Sequence, residues 1–114
     1  MSKRQPRLLL LDILENANLI LEQIEGIGFE QFLDDTKTKN ACLFCLVVIG
    51  EASGNLSDEF RSENHQIPWS KIRGMRNHLA HGYFIIDYDL VWNVITTEIP
   101  KLKTEIESLL KQLE

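Results

Sequence analysis

Apolar residues along this chain recur at three- and four-residue steps, the signature of helices that pack through one face. Leu10, Ile13, Leu14, Ala17, Leu21 and Ile24 draw one stripe and predict a first helix over about 6–24. Pro6 suits its first turn, where the missing N–H is not needed. Gly26 and Gly28 end it, and Phe29 and Phe32 pin the next loop or short helix to the core. A second helix is expected from the capping candidates Asp34, Asp35 and Thr36 to about Ser53. Its centre, Ala41 to Ile49, has the look of a buried strand, but no turn signal lies between Asp35 and Gly50, which favours a long helix. A helix apolar nearly all round must bury two faces. One belongs to the core of the chain, and a subunit interface is the natural partner for the other.

Ser57-Asp-Glu-Phe-Arg predicts a short helix with Ser57 as N-cap, and 63–68 a loop. Trp69 begins a third main helix, with Trp69, Ile72, Met75 or Arg76, and Leu79 facing inward. It stops at Gly82, which can take a left-handed conformation. Asp87 or Asp89 caps a fourth helix to about Thr97, where Pro100 breaks or kinks it. Leu102, Ile106, Leu109 and Leu113 carry the stripe onward. The expected fold is all-α, an up-and-down bundle of four to five helices forming one domain over 1–114.

Composition agrees: 114 residues suit one domain, and few Gly and Pro among many Leu, Ile, Glu and Lys favour helix. No export signal is expected, because the apolar run after Lys3, Arg4 and Arg7 is interrupted by Asp12 and Glu15. Ala41 to Ile49 is too short to span a bilayer, so no membrane partner is expected. With two cysteines and no export signal, the expected compartment is the cytoplasm. A net charge of −5 argues against broad electrostatic capture of nucleic acid. Basic groups are concentrated locally instead: the stretch from Lys71 to His81 holds Lys71, Arg73 and Arg76 and no acidic residue.

That stretch runs on as Arg73-Gly-Met-Arg-Asn-His-Leu-Ala-His-Gly-Tyr-Phe and collects most of the candidate chemistry. Its residue types suit phosphodiester cleavage in RNA. Histidine can take the 2′-hydroxyl proton near neutral pH, and arginine offers a permanent, fork-shaped cation to the phosphate. Asn77 is placed to position a phosphate or sugar oxygen, and no metal is required. The plain alternative is a helix end with favourable cations near its C-terminal dipole. Arg76 and His81, five residues apart, stand about 140° apart around an ideal helix and share no face. Either the helix frays at His81, or a two-fold dimer builds each site from both chains. Glu51, at the end of the apolar second helix, either points into solvent or orients a basic group of this cluster.

Other constellations carry less. Cys42-Leu-Phe-Cys45 has redox spacing but lies within an apolar helix, so core cysteines are expected. His78 and His81 have no acidic or cysteine ligand nearby, and His65 would have to join from a loop; no metal and no cofactor are expected. Tyr83 is by type a packing residue, though a place just beyond a glycine can expose its hydroxyl beside the cluster.

Arg76-Asn-His-Leu-Ala-His81-Gly-Tyr83 resembles the Arg-x4-His-x-Tyr signature of HEPN-domain proteins, and more closely that of the HepT toxins. Ile49-Gly-Glu-Ala52, Ile67-Pro-Trp69, Ile72-Arg-Gly-Met-Arg-Asn77, His81-Gly-Tyr-Phe84 and the segment from Asp87 to Trp92 extend the likeness over most of the chain. The resemblance implies a homodimeric helical bundle with both motifs facing a shared cleft. It implies metal-independent RNA cleavage, with Arg76 and His81 catalytic and Asn77 a polar residue of the motif; Asn77 and Arg73 stand beside them as the substrate-positioning candidates. Glu51 stands as a possible supporting carboxylate. It further implies a toxin–antitoxin pair, in which an MntA-type nucleotidyltransferase antitoxin adds AMP to Tyr83. Anionic adenylyl groups beside Arg76 would block the phosphate site. The alternatives are a non-catalytic helical module that binds a nucleotidyltransferase or a nucleotide, and a structural dimer without a ligand.

Overall fold

The first turn of α1 (Pro6–Ile24) begins at the proline, as its fixed φ favours. The computed structural model describes residues 5–82 and 85–113, and among them every regular element is helical. The expected α1 stripe holds and widens. Leu10, Ile13 and Ala17 are fully buried, Leu14, Leu21 and Ile24 are half-buried, and Leu9 and Ile20 join the core. The widening follows from two neighbours, since α1 packs against both α3 and α7. Gly26 ends α1 in the left-handed region (φ 76°), which glycine reaches without a Cβ penalty.

The phenylalanines that follow form the short α2 (Phe29–Asp34), with Phe32 fully buried. Its ring meets Trp92 at 5.1 Å and the edge of Tyr88 at 6.4 Å, tying α2 to the far end of the chain. Of the three capping candidates for α3 (Thr36–Asn55), Asp35 takes the role. Its Oδ1 accepts the Thr38 backbone N–H (3.1 Å) and its Oδ2 the Thr38 hydroxyl (2.7 Å). These bonds to the charged form hold the Asp35 carboxyl below the usual carboxylate range. The helix runs two residues beyond Ser53. There the Arg61 guanidinium donates to the Ser53 carbonyl (2.8 Å), closing an otherwise open helix end.

The α3 run is helical, and its two-sided burial is partial. Cys42, Cys45, Leu46 and Ile49 are buried and Leu43 and Val47 half-buried, whereas Phe44 stays 68% exposed. Ser57 caps α4 (Asp58–Glu63) through the Phe60 N–H, as expected. Trp69 then anchors the start of α5 (Trp69–His81), its indole N–H donating to the Asn64 carbonyl (3.0 Å). Trp69, Met75 and Leu79 face inward, which decides between Met75 and Arg76; Arg76 is half-buried.

Three expectations fail in detail. Gly82 is not left-handed (φ −117°); glycine is needed because a Cβ would stand 2.8 Å from the His78 carbonyl oxygen. Pro100 does not break the last rod. From α6 (Tyr88–Asn93), capped by Asp87, the helix passes through a π-helical segment (Val94–Glu98) into α7 (Ile99–Gln112). The Ile99 N–H bonds the Val94 carbonyl five residues back, and this widened turn accommodates a ring and a missing donor. Leu113 leaves the stripe: it is exposed past the end of α7, and Leu110 is buried instead. With these changes the architecture is the expected all-α bundle. Its rods are α1, α3, α5 and the α6–π–α7 run, with α2 and α4 as short connectors.

Phe32 fastens α2 to α6. Phe32→Ala should cost about 3–5 kcal/mol in a denaturant titration. Both cysteines are buried free thiols, and burial, with Cys45 beside it, pushes the Cys42 thiol up to about 12. An aromatic disulfide reagent at pH 8 should therefore label neither in the native protein and both in denaturant.

Candidate active site

Arg76 owes its place to a glycine in the facing helix. A Cβ at Gly50 of α3 would overlap Arg76 Cβ and stand 2.7 Å from its Cγ, so only glycine lets the α5 backbone come this close. The next residue on α3 completes the grip. The Arg76 Nε–H donates to Glu51 Oε1 (2.6 Å), and Nη2 contacts the same oxygen. On the opposite side, Nη1 donates to Asn77 Oδ1 (3.0 Å). The guanidinium is thus held between two helices, with a third of the side chain exposed. Of the two readings of Glu51, the one that places it on a basic group matches the geometry. Gly50 escaped sequence reasoning. A lone glycine inside an apolar helical run, just before a carboxylate, was the available signal.

At about 100° per residue, α5 divides into distinct sides. Ile72 and Leu79 share the side toward α3, and Arg73 and Ala80 share an exposed side next to Arg76. Arg73, Asn77 and His81 are all exposed. Among the described residues no hydrogen bond joins Arg76 to His81, as their angular separation requires. The Gly82 N–H returns to the His78 carbonyl (2.8 Å), so the helix holds to its last residue and does not fray at His81. Tyr83 and Phe84 lie outside the described residues.

The other flank of α5 faces a groove of about 950 Å³ toward the α6–π–α7 rod, lined by Leu46, Ile49, Met75, His78, Val94 and Leu102 among others. It holds none of Arg73, Arg76, Asn77, His81 or Glu51, so this groove is not where the candidate chemistry lies. His78 turns into it, and its buried Nε2 has no hydrogen-bond partner among the described residues. His78 and His81 therefore belong to different surfaces, and His65 is exposed in the loop before α5. Among the described residues no group of three or more His, Cys, Asp or Glu could hold a metal ion.

Comparison with known proteins fixes the family. The family model for "Ribonuclease HepT-like" proteins matches residues 13–109. The chain belongs to the HepT-like ribonuclease family. A Thermococcus cleftensis protein whose name includes ribonuclease HepT is 40% identical over 109 residues, covering 96% of this chain and 99% of that one. A Methanocaldococcus jannaschii protein with RNase in its name is 39% identical over 107 residues (94% and 98%). A similarly named protein of Caldanaerobacter subterraneus is 38% identical over 109 residues (96% and 97%). No solved structure matches the chain. This is a HEPN-type, HepT-like RNase, and no helix among the described residues is long and apolar enough to cross a membrane.

The Gly50 contact generates a direct test. Gly50→Ala forces α3 and α5 apart or displaces Arg76, and overpacking of this kind costs about 1–3 kcal/mol in chemical denaturation.

Proposed function

We propose that this chain is the toxin of a toxin–antitoxin pair, a metal-independent endoribonuclease whose site is completed by a second copy. The observation that carries the reading is Arg76, a guanidinium gripped by Glu51 and Asn77 at an open surface. A guanidinium so held offers charge and direction to a phosphodiester, and Asn77 and Arg73 lie on the exposed side that an RNA strand would follow. In the reaction, the 2′-oxygen bonds to phosphorus while the bond from phosphorus to the 5′-oxygen breaks. The 2′-hydroxyl proton passes to His81, and a proton from the protonated imidazole or from water reaches the leaving 5′-oxygen. The products are a 2′,3′-cyclic phosphate and a 5′-hydroxyl.

Within one chain His81 points away from Arg76, so the base that serves Arg76 comes from the His81 of a second copy. Phe44 favours a mate on this side: it is exposed and lies seven residues before Glu51, hence about 20° from it on the same face of α3. A nucleotidyltransferase antitoxin of the MntA type transfers AMP from ATP to the hydroxyl of Tyr83, releasing pyrophosphate. The new phosphodiester anion, beside Gly82 at the end of α5, then competes for the Arg76 site.

Arg76→Ala and His81→Ala should each lower RNA cleavage by about 100-fold or more with the fold intact by circular dichroism. Co-expressing the two inactive chains should restore activity, because a mixed dimer holds one site with both groups; no recovery overturns the shared site. Cleavage should also fall after incubation with the cognate nucleotidyltransferase and ATP, with a mass gain in AMP units that Tyr83→Phe abolishes. RNA left intact under all conditions, alongside binding to the nucleotidyltransferase, would mark a non-catalytic module instead.

A further inference from the structure

The grip on Arg76 has a stereochemical consequence. A guanidinium carries five N–H groups in one plane: one on Nε and two on each Nη. Glu51 Oε1 takes the edge shared by Nε and Nη2. Asn77 Oδ1 accepts one of the two hydrogens of Nη1. Three donors are thereby used, which leaves one hydrogen on each Nη; with Asn77 on the Nη1 hydrogen nearer Cδ, these two are parallel and point forward along the side chain's axis. They match the spacing of two oxygens on one phosphate.

We infer that Glu51 is a positioning residue that works with Gly50 and Asn77 to turn Arg76 into a two-pronged seat for one phosphate of a single-stranded RNA. Each partner has a separate task. Gly50 brings the Arg76 backbone against α3, Glu51 fixes the guanidinium plane from the Nε edge, and Asn77 fixes it from the Nη1 edge. Glu51 touches no reacting atom. Its carboxylate lowers the net charge at the seat, a disadvantage for bare phosphate attraction that is offset by direction. A free arginine spends rotamer entropy to aim its fork, whereas this one is already aimed. An end-on pair of donors of this kind bonds two non-bridging oxygens of one phosphate.

The inference rests on Arg76 being the phosphate-binding group, and the experiment separates the two. Steady-state cleavage of a defined single-stranded RNA oligonucleotide is measured for the wild type, Arg76→Ala, Glu51→Ala and Glu51→Gln, with binding of the same oligonucleotide followed by fluorescence anisotropy. Loss of function in Arg76→Ala establishes the seat, in cleavage or, should the wild type prove inactive, in binding alone. Glu51→Ala should then lower kcat by about 10- to 100-fold with a smaller change in KM, the mark of a misaimed group. Glu51→Gln, which keeps the accepting oxygen and loses the charge, should retain most of the activity and bind RNA at least as tightly. Glu51 is half exposed, so its substitution should leave the melting temperature close to the wild type's. Wild-type kcat in Glu51→Ala overturns the inference. So does tighter RNA binding with undiminished cleavage, which would make Glu51 a mere competitor for Arg76. Equal losses in Glu51→Ala and Glu51→Gln would assign the effect to charge and also overturn it.

Discussion

The close approach of α3 and α5 at Gly50 is the contact on which the site depends. Helix axes ordinarily stand apart by the thickness of the side chains between them. Here one side chain is missing at the crossing, and the space passes to the first carbons of Arg76. Those carbons are thereby packed, while the charged end runs along the α3 surface to Glu51. The arginine is thus a structural residue at its base and a chemical one at its tip. A long cationic side chain that would otherwise sweep through solvent acquires one direction from a carboxylate and a neighbouring amide.

Much of this was legible in the residues. The helical period marked α1 and α5, the want of a turn signal marked α3, and Asp35, Ser57 and Asp87 cap as their types predict, because capping is a local transaction between a side chain and N–H groups two or three residues on. The misses share a cause: each was decided by something distant in sequence or by backbone detail. Leu113 fits the stripe by period, yet the helix ends before it can bury. Pro100 signals a break only if the helix cannot widen ahead of it. Gly82 suggested a left-handed turn, but a crowded carbonyl explains the glycine equally well.

The site was half legible. The residue types of Arg76, Asn77 and His81 suggested chemistry, and their spacing denied that Arg76 and His81 meet within one helix, as the structure bears out. Glu51 stayed undecided, because nothing local says that residues 25 positions apart share a hydrogen bond. The family likeness added the reaction class, which residue types on a helix cannot supply unaided.

α5 finds its main packing partner in α3, while its other flank looks across the groove toward the last rod. Trp69, Met75 and Leu79 sit in the same core as Leu10, Phe32 and Ile106, so α5 is no detachable flap. Lifting it would expose those side chains to water, which ties the seating of Arg76 against Gly50 to the stability of the whole bundle.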